Sequence, residues 1–403
     1  MANLTTEILT KRVLKPHYRR GYNRILNNGK MIYIRDYIVR EEEYYQQHTI
    51  SPTDYYNRNN PDGKTIKSAV LFEYVGNKRS FYKRTQTLLK ERIESEKIET
   101  IVVPFTGSGS DFLNVAPKMI CKEKRTVVLN DLNPSIVNLF RTIRDDKESL
   151  IREIETIIDG QNSLVGSNPT LSDYQLFHKM LREELNNLEL KNIMGIRRAA
   201  LFMICMNTTF GGNYEWKNGR SHVGVATDIR KFQKYSKSIE KIEMYSFYMD
   251  KYVVIIENED YSVILKKYDS STTLFLIDPP YLKQDADVLV STAVTYGNPD
   301  FPHHECISKV KNLRSSVIYH NYRHPIQSMM FEQNPRFKHV EHEKVINNHK
   351  SESDTKKARC VEVIYFTTDK KKKRYGNIQT TSPIPNNNVH FRPSVQPSIV
   401  VSA

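Results

Sequence analysis

The sequence predicts an α/β fold of Rossmann-like type: a mostly parallel sheet with helices on both faces and one inserted helical lobe. Three observations predict it. Short apolar runs recur at Thr100 to Val103, Thr126 to Leu129, Val253 to Ile256, Leu274 to Ile277, Ser316 to Tyr319 and Val361 to Phe366. They have the unbroken character of strands buried on both faces. The first two alternate with helix-like segments in βαβα order, which dictates parallel pairing. A block of helix-like segments between residues 146 and about 250 then interrupts the rhythm, as a separate lobe would.

The 403 residues are 39% hydrophobic and 26% charged, the balance of a globular chain with a sizeable core. No apolar run reaches membrane-spanning length. Met1 to Arg12 is mixed polar and basic without a signal-peptide core, so the expected location is cytoplasmic, with no membrane partner. Sixty Lys and Arg against 46 Asp and Glu give a formal charge of +14, which favours a polyanionic partner. Cys121, Cys205, Cys306 and Cys360 form no CxxC pair and read as reduced thiols.

Residues 1–65 form an N-terminal extension rich in Tyr, Arg and Asn. His17-Tyr18-Arg19-Arg20-Gly21-Tyr22 and Tyr55-Tyr56-Asn57-Arg58-Asn59-Asn60 interleave cations with rings, a pattern that can track phosphates and stack on bases. The stretch reads equally well as a partly ordered extension lying on the main domain. That domain spans 66–368. After a turn at Tyr74 to Lys78 comes a helix through Leu89 and Ile93, then the strand Thr100 to Val103. The glycine-rich turn Pro104 to Ser110 opens a helix at about Asp111. Thr126 to Leu129 ends at Asn130-Asp131, and Asn133-Pro134 starts a helix with apolar Ile136, Leu139, Phe140 and Ile143. Inside the lobe, Asp173 to Leu188 and Met194 to Met206 read as helices, and Thr208 to Gly219 as a Gly- and Asn-rich loop. His303-His304-Glu305-Cys306 reads as a loop rather than a metal site, because adjacent side chains converge poorly on one ion. Residues 369–403, with Lys370 to Arg374 followed by Pro, Asn and Ser, read as a basic disordered tail.

The stretch richest in chemistry is Leu274-Phe275-Leu276-Ile277-Asp278-Pro279-Pro280-Tyr281. The prolines stop ladder and helix alike and fix the turn. Such a turn at the carboxyl end of a buried strand sits where open α/β sheets place their ligand crevice. Read blandly, it is a proline turn capping a core strand. Read chemically, Asp278 and the Pro279 carbonyl are two acceptors for the N–H groups of an exocyclic amine, and Tyr281 is a ring on which a base can stack. An amine conjugated with its ring is a poor nucleophile, and accepting its hydrogens draws the nitrogen toward tetrahedral geometry.

Gly107 and Gly109 let backbone approach a ligand at a helix start. Asp131, at the end of the next strand, lies near the spacing at which a carboxylate binds ribose hydroxyls. Phe112 stands where a dinucleotide fingerprint would have its third glycine, so a nucleoside cofactor fits better than NAD. With a base-holding turn downstream, S-adenosylmethionine is the natural choice.

Tyr74-Val75-Gly76-Asn77-Lys78, Phe105-Thr106-Gly107-Ser108-Gly109, Asn130-Asp131-Leu132-Asn133 and Asp278-Pro279-Pro280-Tyr281 stand in the order seen in Dam-like DNA adenine-N6 methyltransferases, and the bacteriophage members are the most similar. The resemblance runs from about Ala69 to Thr368, with the insertion where that family keeps its target-recognition lobe. It implies a class I S-adenosylmethionine-dependent methyltransferase fold and transfer of a methyl group to adenine N6 in double-stranded DNA, within a bacterial or phage-infected cell. Tyr74 and Lys78 would line the methionine side of the cofactor, with Phe105, Gly107 and Gly109 beneath it. Asp131 would hold the ribose and Asp260 would approach the cofactor's adenine, while Asp278, Pro279, Pro280 and Tyr281 would hold the target base. A cognate restriction endonuclease is a candidate partner; no metal is implied, and the oligomeric state is open.

One departure stands out. The lobe's loop reads Phe210-Gly211-Gly212-Asn213-Tyr214-Glu215, with Tyr214 and Glu215 near the family's DNA-contacting arginine and Arg220 close by, so no target sequence carries over. No cysteine follows a proline, against a 5-methylcytosine enzyme. An N4-cytosine DNA enzyme, an N6-adenine RNA enzyme and a silent nucleic-acid-binding relative remain alternatives.

Overall fold

The computed structural model describes residues 18–19, 22–25, 31–34, 37–38, 50–60, 71–72, 82–95, 97–121, 123–209, 214–224, 226–233, 236–282, 301–345 and 359–368. In chain order the described strands are β1 (Tyr18–Arg19), β2 (Tyr22–Ile25), β3 (Met31–Ile34), β4 (Tyr37–Ile38), β5 (Thr100–Val103), β6 (Thr126–Asn130), β7 (Tyr214–Lys217), β8 (Arg220–Val223), β9 (Val253–Glu257), β10 (Thr273–Ile277), β11 (Ser316–Tyr322), β12 (Phe337–Val345) and β13 (Arg359–Thr367). The helices are α1 (Pro52–Asn59), α2 (Tyr82–Ser95), α3 (Ser110–Met119), α4 (Pro134–Asp145), α5 (Lys147–Val165), α6 (Leu171–Leu190), α7 (Ile196–Asn207), α8 (Ile229–Phe232), α9 (Ser236–Met249), α10 (Tyr261–Lys267), α11 (His303–Lys311) and α12 (Pro325–Glu332).

Seven strands form the main sheet in the order β12-β13-β11-β10-β5-β6-β9. β11, β10, β5, β6 and β9 run parallel, and β13 is antiparallel to both β11 and β12. This mostly parallel sheet flanked by helices agrees with the class I methyltransferase fold expected. The unbroken apolar runs have a simple cause: side chains alternate between two cores. Leu274 and Leu276 of β10 enter the core on one face, with Ile101, Val103, Val127 and Leu129. Phe275 and Ile277 enter the other, with Val102, Val128, Val317 and Tyr319.

β9 is an edge strand. Arg144 Nη1 and Arg141 Nη2, both from α4, donate to Val254 O and Ile256 O at 3.0 Å each. These carbonyls face away from β6, because Val253, one residue earlier, directs its N–H to Arg125 O on the inner side.

α4 starts at a proline and is capped by Asn133, whose Oδ1 accepts Ser135 N–H at 2.9 Å. α6 opens with a capping box between Thr170 and Asp173. The N-terminal extension contributes α1 to the body. Tyr56 is buried with its ring edge-on to Phe247, and the Tyr248 hydroxyl donates to Pro52 O at 2.7 Å.

Two expectations are corrected. The stretch through Gly219 is not all loop, because β7 and β8 form a hairpin closed by Asn218 (φ 53°) and Gly219 (φ 75°). Asn-Gly supplies the left-handed pair that a tight hairpin turn requires. His303 to Cys306 opens helix α11 instead of lying in a loop, since Cys306, Ile307 and Val310 bury at helical spacing. Among the described residues no group of acidic, His or Cys side chains could hold a metal ion. No described helix is long and apolar enough to cross a membrane.

Candidate active site

From β5 the chain moves outward through β6 to β9, then returns to place β10 on the other flank of β5. The connections leaving β5 and β10 therefore diverge, and a crevice opens at the carboxyl ends of these two strands. Phe105, Gly107 and Gly109 follow β5, and Asp278 to Tyr281 follow β10. Asp131 follows β6 and Asp260 lies just beyond β9. All nine residues thus gather at one edge of the sheet. Tyr74 and Lys78 lie outside the described residues.

Asp131 is built into the glycine turn. Its Oδ2 accepts Gly107 N–H at 2.8 Å and its Oδ1 accepts Asn133 N–H at 2.9 Å. Burial pushes its carboxyl up to about 6, against the N–H donors of Asn133, Gly107 and Leu132, which favour the ionised form. The residue nevertheless keeps some accessible surface. Dense surroundings together with an exposed face describe the floor of a cleft. A carboxylate offers about four lone-pair directions, so acceptor capacity remains toward that face.

The two glycines differ in purpose. Gly107 (φ 49°) turns the chain so that its N–H meets Asp131. Gly109 (φ 74°) heads α3, and a Cβ there would lie 2.6 Å from Phe140 Cζ and 2.9 Å from Tyr245 Cε1. Its missing side chain makes room for core rings. Tyr245 also donates its hydroxyl to Ser108 O at 2.9 Å, so the turn is seated from below.

Asparagines not singled out as site residues in the sequence lock these loops together. Asn130, buried at the end of β6, donates to Pro104 O at 2.9 Å and to Glu259 O at 3.0 Å, and accepts Glu259 N–H at 2.9 Å. One carboxamide thereby ties the loops after β5, β6 and β9. Asn258 donates to Asp131 O at 2.8 Å. The only legible sign is an amide residue at a strand's carboxyl end; the partners are distant in sequence.

Asp260 is exposed and caps α10, accepting Ser262 N–H at 2.8 Å. The ring of Tyr261 beside it stacks on Phe105 with centroids 5.5 Å apart, and Phe301 closes the cluster. Phe105 is half-buried, which leaves part of its surface facing outward from the glycine turn.

In the proline turn, Pro279 and Tyr281 are buried, while Asp278 and Pro280 are half-buried. The Tyr281 ring meets Tyr322 edge-on, centroids 4.5 Å apart at 72°. Asn321, fully buried on β11, accepts the N–H groups of Leu282 and Tyr322 at 2.8 Å each. The ring of Tyr281 and the end of the turn are therefore held on a fixed frame. The arrangement can accept hydrogens from an amine on one side and bind vicinal hydroxyls on the other.

Two type II methyltransferases are among the similar proteins. M1.LlaDCHI of Lactococcus lactis subsp. cremoris is 26% identical over 210 residues, 52% of this chain and 64% of that relative. M.MjaIII of Methanocaldococcus jannaschii is 19% identical over 219 residues, 52% of this chain and 68% of its own length. The chain thus spans slightly under two thirds of the first relative. A family profile matches residues 74–353, a span that takes in the glycine turn, Asp131 and the proline turn. On that match the chain belongs to the D12 class N6 adenine-specific DNA methyltransferase family.

Proposed function

We propose that the protein methylates the N6 amine of adenine in double-stranded DNA, with S-adenosylmethionine as donor. The observation that carries this reading is the shared crevice: the turn Asp278 to Tyr281 and the acid Asp131 follow strands at the same edge of one sheet, on the two sides of β5.

The residues present fit the donor. Asp131 keeps an accessible face and spare acceptor capacity for ribose hydroxyls, and Phe105 and Gly107 lie beside it. Asp260, beyond β9, is exposed toward solvent and completes the polar rim. When bound, the cofactor supplies a methyl group on a positively charged sulfur. Asp278 and the Pro279 carbonyl accept the two N–H groups of the target amine, which frees the nitrogen lone pair from the ring. As that nitrogen gains positive charge, the bond to Asp278 strengthens, and Asp278 is the group placed to receive the proton that leaves. Tyr322 holds the Tyr281 ring in one orientation, so stacking costs little further ordering.

The target amine lies inside a duplex, so the base must leave the stack at a cost of a few kcal/mol. Stacking on Tyr281 offsets about 1–3 kcal/mol of it. The charge of +14 supplies affinity for the phosphate backbone, which should fall steeply with salt.

Long-read sequencing of host DNA, with and without the expressed protein, tests the reading, because it reports base, position and context together. N6-methyladenine at a defined sequence is expected. Methylated cytosine, or no mark from a folded protein that binds the donor, overturns it. In purified protein, Asp278→Ala should abolish turnover while donor affinity measured by calorimetry stays within a factor of about two. Tyr281→Phe should keep most activity and Tyr281→Ala should not.

A further inference from the structure

Beneath the hairpin β7–β8 lies a buried polar network that the site described above does not use. Glu189, near the end of α6, is 5% exposed, and Arg198 of α7 is 1% exposed. Glu189 Oε1 accepts the hydroxyls of Ser135 at 2.7 Å and Ser221 at 2.6 Å, and its Oε2 accepts Ser221 N–H at 2.6 Å. Arg198 Nε donates to Ser135 Oγ at 2.9 Å. The Ser135 hydroxyl therefore accepts from the guanidinium and donates to the carboxylate, which fixes its direction.

The network joins three distant parts of the chain. Ser135 belongs to the first turn of α4, the helix that begins just after Asp131 and Asn133. Ser221 is the second residue of β8. An isolated two-stranded hairpin is marginal on its own, and among the described residues β7 and β8 pair only with each other. Its placement must come from attachment, and Glu189 takes up both the N–H and the hydroxyl of Ser221. Side chains alternate along a strand, so holding Ser221 inward turns Arg220 and His222 to the opposite face, where His222 is exposed and Arg220 is half-buried with its Nε covered.

A buried network of this kind, in which a serine hydroxyl bridges a guanidinium and a carboxylate, is weak evidence for stability, because apolar residues of similar volume often stabilise as well or better. What directional hydrogen bonds provide instead is a single register. We infer that Glu189 is a positioning residue that fixes the hairpin to the cofactor-side helix α4, so that Arg220 and His222 meet DNA in one orientation and sequence discrimination depends on it. This rests on the DNA-methylating reading above.

The test uses the full chain with Ser221→Ala, Glu189→Gln and the double variant. Long-read sequencing of host DNA gives, for each, the ratio of methylation at the preferred sequence to that at sequences differing by one base. Ser221→Ala is expected to lower that ratio at least tenfold, with the thermal midpoint within a few degrees of wild type and donor affinity unchanged. The double variant should lose no more than Glu189→Gln alone, since both act through one contact. An unchanged ratio in folded variants, or additive losses, overturns the inference. Hydrogen exchange supplies an arm independent of activity. Amides of 214–223 should exchange at least tenfold faster in Glu189→Gln, while those of 100–131 do not change. Uniform acceleration across both segments means a merely structural role and also overturns it. A wild-type protein that leaves no mark refutes the activity reading alone, and the exchange result still decides the role of Glu189.

Discussion

Asn321 accepts the backbone N–H of Leu282 at 2.8 Å, and this one bond fastens the end of the proline turn to the neighbouring strand β11. The same oxygen also accepts Tyr322 N–H. Asn321→Ala leaves two buried N–H groups without that acceptor, at roughly 1–3 kcal/mol each when nothing replaces it. The expected outcome is a loss of about 2–4 kcal/mol in denaturant unfolding and a fall in kcat of tenfold or more. Donor affinity, held on the other side of β5, should stay within a factor of about two by calorimetry.

Asp131 sets a pH dependence of definite sign. Its carboxyl stands at about 6 in the folded protein because it is buried. If Asp131 holds the ribose as proposed, the ionised form binds best, so affinity for S-adenosylmethionine should be level above about pH 7 and fall as pH drops through 6. The limiting slope for one proton is about tenfold per pH unit. Asp131→Asn should bind more weakly and show a flat profile over the same range. A wild-type profile that is flat down to pH 5 would remove this acid from the cofactor site. The free protein carries the opposite trend: between about pH 4 and 6 it holds a proton that the unfolded chain has released. This group's contribution to stability therefore diminishes as pH rises across that window.

Gly109→Ala should damage the glycine turn through the core beneath it. The left-handed backbone costs a Cβ-bearing residue about 1–2 kcal/mol, and the new Cβ meets Phe140 Cζ at 2.6 Å. Overpacking adds about 1–3 kcal/mol. A drop of several degrees in thermal midpoint is expected. In a Phe140→Leu background the further cost of Gly109→Ala should shrink, which a double-mutant cycle reads directly.

Truncation should separate the N-terminal extension at residue 50 and not at residue 65. Gln86 Nε2 donates to Ile50 O at 2.9 Å, and α1 buries Tyr56. Deleting 1–49 keeps these contacts, whereas deleting 1–65 should cost roughly 2–4 kcal/mol from lost burial. Urea midpoints of the two truncations check this. Whether residues 1–49 carry DNA affinity is then read from the salt slope of binding in the shorter protein.

The sequence made the sheet legible where strands are buried on both faces, because β5, β6, β10 and β11 leave unbroken apolar runs. β12 leaves no such run, since Phe337 to Val345 mixes Lys, His and Glu into an edge strand. Helix α11 was hidden by its opening His-His-Glu, which carries no apolar signal until Cys306. Asp131 and the proline turn stand out in the sequence because the chemistry proposed for them resides in their own side chains and backbone. Asn130, Asn321 and Glu189 do not. Each works by holding backbone or hydroxyl groups of remote segments, and nothing local in the sequence names those partners. The Asn218-Gly219 pair is a strong hairpin signal legible in the sequence.

The two arginines over β9 protect the protein from copies of itself. Val253 and Ile255 are exposed on this last strand, and an edge with open carbonyls would be a template on which another chain could add. Arg141 and Arg144 occupy two of the acceptors such a neighbour needs, and Asp145 holds the Arg144 guanidinium in place there. Together they let a strand that is apolar enough to complete the sheet remain its end, and a double Arg141→Ala, Arg144→Ala protein should lose solubility well before it loses its fold.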